Sequence, residues 1–276
     1  MAVVDALRES PSALRRNPVV LVPVILLAAL QLPQLALQAV NPILGAVVSL
    51  VVSVGIVFLV PFFQGGIVAM ADEAIDGRTS LDTFVAAGKS NYVSIFGAYL
   101  ALLGINLALG VVTIVASAFV GTGVLAMAQG GSSGAGGIGV LAILGIVAVG
   151  FLVYLLVAFF LQFYGHAIVL EDLGAVDGLK RSAARVRHNL LATFGYMLLS
   201  GVVGGGVGLL FGVLSLLTTP GATAGAGIDV PVAAVVVVAV VAVAATGVVG
   251  AFLGIFSVAV YRRLPLPGEA SASDRR

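Results

Sequence analysis

Side chains able to do chemistry are few in this chain, and their spacing is simple. His166 lies four residues after Gln162 and five before Glu171. An imidazole so placed could carry a proton or bind a metal. No second histidine follows at metal-ligand spacing and no H-E-x-x-H pattern is present, so a hydrogen-bonded histidine between helices is the expectation. Gly88-Lys89-Ser90 ends like a phosphate-binding loop. The first glycine of that motif would fall on Thr83, and a long apolar run follows rather than a strand–loop–helix unit, so no nucleotide is expected there. Asp76-Gly77 and Asp177-Gly178 read as turn dipeptides. Gln31, Gln34 and Gln38 share one helix face. With Gln64, Gln162 and His166, Gln31 and Gln34 are candidates to line a polar cavity. The competing role is hydrogen bonding between helices, worth about 0.5 to 2 kcal/mol each. With no cysteine, neither a thiol nucleophile nor a cysteine metal site arises. The expectation is a non-enzymatic protein without a cofactor or metal centre.

The elements that must position these residues follow from composition. Of 276 residues, 61% are apolar and only 9% charged, against about 25% charged in a soluble domain. Mean hydropathy is +1.21. Four runs contain no Asp, Glu, Lys or Arg: Asn17 to Ala71, Ser90 to Leu170, His188 to Ile228 and Val230 to Tyr261. About 20 apolar residues cross a bilayer as a helix. The chain is therefore expected to be all-α and polytopic, and a soluble enzyme, a nucleic-acid binder and a secreted disulfide scaffold are excluded. Six transmembrane helices are predicted, at 19–40, 43–71, 92–120, 140–170, 190–217 and 232–260. They form a single membrane domain over 1–276, with Asn41-Pro42 as a turn, a Gly/Ser loop at 130–137, a loop at 218–231 and a flexible cytoplasmic tail at 261–276. The first apolar run is far too long for the core of a signal peptide, so cleavage is not expected.

All 13 Lys and Arg fall in four places: the N-terminal segment, 78–89, 180–187 and the C-terminal segment. Basic residues near span ends stay in the cytoplasm. This puts both termini and the segments 72–92 and 171–189 inside, in a multi-pass protein of the plasma membrane.

Self-comparison adds a repeat. Phe62, Gln64, Ala69, Glu73, Lys89 and Asn91 recur 98 residues later as Phe160, Gln162, Ala167, Glu171, Arg187 and Asn189. Asp5, Leu7, Ser10, Arg15 and Asn17 recur 172 residues later as Asp177, Leu179, Ser182, Arg187 and Asn189. Three parallel units are expected, each a cytoplasmic amphipathic helix followed by a two-span hairpin. In the second such helix Leu81, Phe84, Val85 and Gly88 make the apolar stripe, and Thr79 with Asp82 resembles a capping box.

Two clusters remain. Gly204, Gly208 and Gly212, with Gly250 and Gly254 in the last span, are spaced for close helix packing, within the bundle or in a homo-oligomer. Lys180, Arg181, Arg185 and Arg187 read as a topology anchor that contacts anionic headgroups. Expected partners are membrane lipids and a membrane or cytoplasmic protein, with no nucleic acid.

The run Ala167-Ile168-Val169-Leu170-Glu171-Asp172, then Asp177-Gly178-Leu179-Lys180-Arg181-Ser182 and Arg187-His188-Asn189, resembles the cytoplasmic loop of uncharacterised prokaryotic six-span membrane proteins. These are distantly similar to the membrane domain of some glycerophosphodiester phosphodiesterases. Ala13-Leu14-Arg15-Arg16-Asn17-Pro18 and Ala86-Ala87-Gly88-Lys89-Ser90-Asn91-Tyr92 look like a haloarchaeal family of unknown function. The resemblance implies a six-span fold over nearly the whole chain and brings no catalytic residues with it.

Overall fold

The structure, a computed structural model, describes residues 2–30, 37, 41–129, 135–218 and 232–266. Among these the regular elements are α1 (Ala2–Arg16), a 3-10 turn (Pro18–Val20), α2 (Leu21–Ala29), α3 (Pro42–Asp76), α4 (Leu81–Ser90), α5 (Tyr92–Gln129), α6 (Ala135–Leu161), α7 (Tyr164–Glu171), α8 (Ala175–His188), α9 (Leu190–Thr218) and α10 (Val232–Arg262). Helix α3, helix α5, the α6–α7 pair, α9 and α10 are each long and apolar enough to cross a membrane. A sixth candidate joins α1 to the segment Pro18–Ala29 across a 93° bend. Within hydrocarbon every backbone N–H and C=O must be paired inside its own segment, which a helix achieves. The chain is an all-α polytopic membrane protein.

Several boundaries differ from the sequence expectation. The span expected to fade by 120 continues to Gln129, because glycines such as Gly121 and Gly123 do not end a helix where no water competes for the backbone. The second span runs on to Asp76, and Asn41 caps its start by accepting from the N–H groups of Ile43 and Leu44 at 3.2 and 3.1 Å. The fourth span is interrupted at Gln162-Phe163, where Ser182 of α8 reaches into the helical ladder. Its hydroxyl accepts from the Phe163 N–H at 3.1 Å and donates to the Phe160 carbonyl at 2.9 Å. An inserted side chain of this kind is a recognised cause of a helix break. Helix α4 is capped by Ser80, not Thr79; the Thr79 hydroxyl donates instead to Glu73 at 3.0 Å. The tail expected to be flexible is packed at its start, with Tyr261, Leu264 and Leu266 only 2%, 1% and 8% exposed. Apolar side chains and the carbonyls of Leu264 and Pro265, taken up by Arg185 and Asn189, hold it there. Most of the first predicted span beyond Leu30, most of the Gly/Ser loop, the 219–231 segment and residues 267–276 lie outside the described residues.

The three short helices repeat one local design. Each ends in an asparagine whose side-chain amide donates to the carbonyl four residues back: Asn17 to Ala13 at 3.1 Å, Asn91 to Ala87 at 3.1 Å and Asn189 to Arg185 at 2.9 Å. Each asparagine carbonyl then accepts from the start of the following helix, from Val20, Ile95 and Thr193. Packing closes the three units into a ring. Helix α4 lies against α3, α8 against α7, and α1 against α10, so every short helix covers the end of the second span of the preceding unit and the first unit follows the last. The core sits at this end of the molecule, where Phe62 and Phe63 meet Phe84 edge-on at 5.3 Å and where Ala13, Met70, Ala74 and Val258 are fully buried.

Candidate functional site

A cluster of ion pairs and hydrogen bonds forms at this end, where α7, α8 and α10 meet. Arg181 and Arg185 are four apart on α8 and so share one face. Both turn toward Glu171, the last residue of α7. Glu171 accepts from Arg181 Nε at 2.5 Å, from Arg185 Nη2 at 2.8 Å and from the Tyr261 hydroxyl at 2.5 Å. Helix α7 stops there because Asp172 takes a left-handed conformation with φ 51°, one that a short polar side chain tolerates better than most. Arg185 is 7% exposed. Its Nη1 donates to the carbonyls of Leu264 at 2.7 Å and Tyr261 at 3.3 Å, and its guanidinium lies 4.3 Å from the centre of the Tyr261 ring. A buried cation is tolerable only when a carboxylate and further hydrogen bonds meet it in this way.

A second set of ion pairs continues around the end of α10. Arg262 reaches Asp72 at 3.4 Å and Asp76 at 3.0 Å on α3, and Arg263 reaches Glu9 of α1 at 2.6 Å. Asp72, Leu170, Glu171, Arg185, Tyr261 and Arg262 line a cleft of about 390 Å³ open to solvent. Acids and bases alternate around it, so the cluster ties α1, α3, α7, α8 and α10 together.

Below this cluster, His166 is stacked on Tyr261 with ring centres 5.5 Å apart, and its Nε2 lies 2.9 Å from the Ser257 hydroxyl. Ser257 donates its own proton to the Gly254 carbonyl at 2.8 Å. With the Ser257 proton on the Gly254 carbonyl, the tautomer that completes the His166–Ser257 pair is the one protonated at Nε2. Nδ1 is buried without a partner among the described residues.

The residues singled out from sequence are distributed as follows. Of the basic cluster, Lys180 and Arg187 are exposed, whereas Arg181 and Arg185 turn inward, so the headgroup role expected for Arg185 is replaced by an interior ion pair. Gln64 accepts from the Tyr164 hydroxyl at 2.9 Å, and Gln162 donates to the Phe159 carbonyl at 3.0 Å. Gln162 borders a cavity of about 210 Å³ with Asn106, Tyr154 and Tyr164; Gln64 and His166 do not line it. Gln31 and Gln34 lie outside the described residues, as does Gln38.

Gly204 faces Leu253 of α10, Gly250 faces Val24 of α2, and Gly254 faces Ile67 of α3. A side chain added at Gly208 or Gly212 would meet nothing within 4 Å, which corrects their expected place in the packing seam. Residues four apart drift by about 40° around a helix, so a seam through Gly204 has turned away by Gly212. Gly88 of the apparent phosphate-loop ending packs against Phe62.

Tyr261, Arg262, Arg263 and Asp72 escaped the sequence reading. The repeat holds the missing signal. Phe160 and Ala167 recur 92 residues later as Phe252 and Ala259, and Glu171 falls at the same offset on Arg263. On the short helices the partners of Glu73, Glu171 and Arg263 are Thr83, Arg181 and Glu9, at one shared register. At the third station the charges are exchanged, which hides the match from residue identity.

Fold and site together define a helical membrane protein built from three in-register units whose polar ends are tied by ion pairs and hydrogen bonds. The chain belongs to the family described as a domain of unknown function (DUF7847), which matches residues 1–264. No curated protein and no solved structure matches it.

Proposed function

We propose that this chain is a non-enzymatic integral protein of the plasma membrane, a six-helix bundle with both termini cytoplasmic. Its helices α1, α4 and α8 lie at the headgroup level and contact lipid headgroups or a partner protein. One observation carries the reading: each short helix presents an outward apolar residue four places before an exposed cation. Val4, Val85 and Val176 are 48%, 40% and 62% exposed, near Arg8, Lys89 and Lys180, whose side chains are also exposed. A helix of that kind lies in the interface, with its apolar side in the acyl boundary and its cations at the phosphates. The 93° turn from α1 into the first apolar segment supports the same placement. Segregation of Lys and Arg to this end supports its cytoplasmic assignment.

The chain has no cysteine, so single labels are readily introduced. With a fluorophore on Val4→Cys, Val85→Cys or Val176→Cys in reconstituted protein, quenchers at headgroup depth should act more strongly than deep ones. Leu209→Cys on α9 should give the reverse. Fluorescence at the three valines that responds only to aqueous quenchers would end the reading.

A second reading, passage of a small neutral or amphipathic solute, is favoured by the cavity beside Gln162, where Asn106, Tyr154 and Tyr164 add polar groups within the span region.

A further inference from the structure

We propose that Arg15, Lys89 and Arg187 form three equivalent binding sites for the phosphate of anionic phospholipids, one at the end of each short helix. The inference rests on the headgroup-level placement above and goes beyond it by naming the residues, the lipid class and the number of sites.

Aligned on Asn17, Asn91 and Asn189, the three short helices share few side chains. The register of Arg181 holds Glu9, Thr83 and Arg181; that of Arg185 holds Ala13, Ala87 and Arg185; that of Lys180 holds Arg8, Asp82 and Lys180. The register two residues before the asparagine holds Arg15, Lys89 and Arg187. It alone carries a cation in all three helices. A topology anchor needs basic charge near a span end but no fixed register, so a shared register calls for a shared contact.

The environment of the three residues is also shared. All are exposed, and none makes an ion pair or side-chain hydrogen bond among the described residues, whereas Arg181, Arg185, Arg262 and Arg263 are all paired. Each precedes by three residues the first residue of an apolar segment, Pro18, Tyr92 or Leu190. Three residues of chain reach at most about 10 Å, so each cation stays close to the start of an apolar segment, where headgroup phosphate meets hydrocarbon. The next residue, Arg16, Ser90 or His188, is also exposed and polar at each station, although Ser90 donates to the Ala87 carbonyl and Arg16 to that of Ile75. Phosphate accepts charge-assisted hydrogen bonds from such groups. A zwitterionic headgroup supplies its own cation and competes with the site.

The test is native mass spectrometry of the full chain released from micelles containing phosphatidylglycerol and phosphatidylcholine. Wild-type protein should retain up to three phosphatidylglycerol molecules. Each of Arg15→Gln, Lys89→Gln and Arg187→Gln should remove one, with affinity at that site about fivefold weaker, and the triple variant should show no preference for the anionic lipid. A control triple, Arg78→Gln, Arg275→Gln and Arg276→Gln, removes equal charge outside the shared register and should keep all three lipids. Equal loss in the control, or retention by the site triple, overturns the inference while leaving the headgroup-level reading in place. A wild-type protein indifferent to lipid charge overturns both. Inorganic phosphate that displaces the lipids at equal concentration would make the ligand a soluble anion and overturn the lipid assignment.

Discussion

Ser182 serves two backbone groups at once, and its removal isolates their contribution. In Ser182→Ala the Phe163 N–H and the Phe160 carbonyl lose the hydroxyl that joins them. Ser182 is fully buried, so no water replaces it at low cost. A buried group left unpaired costs about 1 to 3 kcal/mol. The variant should therefore unfold in detergent at correspondingly lower denaturant, and unchanged stability would show that the break at Gln162-Phe163 satisfies itself. At this scale the sequence is half legible. The repeat pairs Ser10 with Ser182 and Glu73 with Glu171, which marks both residues, and the spacing of Arg181 and Arg185 puts them on one face. Their inward direction depends on Glu171 and the carbonyls after α10, which are distant in sequence. Charge at a chain position does not say whether the side chain faces water, lipid or a carboxylate.

Among the elements, the long helices are legible because the bilayer imposes their length and their apolar character. Their ends are less so, since the same solvent removes the penalties that normally stop a helix. Helix contacts were the hardest to read. The glycine ladder on α9 is conspicuous, yet Gly208 and Gly212 face open space, while the tight contacts sit at inconspicuous glycines. Gly66 and Gly88 interlock with Phe84 and Phe62 across α3 and α4, and a methyl group at Gly88 would come within 2.9 Å of the Phe62 backbone oxygen. Gly88→Ala should destabilise the bundle by about 1 to 3 kcal/mol through overpacking and so lower its melting temperature. Gly208→Leu should leave it unchanged. The opposite ranking in a thermal-shift measurement would return α9 to the centre of the bundle.

For the whole molecule, the segregation of charge is the feature most plainly written in the sequence, and the direction it implies is open to direct test. In intact cells a membrane-impermeant thiol reagent should label Ser133→Cys and leave Lys180→Cys untouched until the membrane is permeabilised. The reverse pattern would invert the proposed topology without disturbing the fold. Ring closure has a further consequence in time. Arg263 and Glu9 meet although 254 residues separate them, so α1 leaves the ribosome long before its partner exists. Until α10 has been inserted, Ala6 and Ala13, which are fully covered in the finished protein, lack the part of their cover that α10 supplies. Any product cut short before its last span would keep that surface uncovered, a mark by which quality-control proteases can tell an unfinished copy from a complete one.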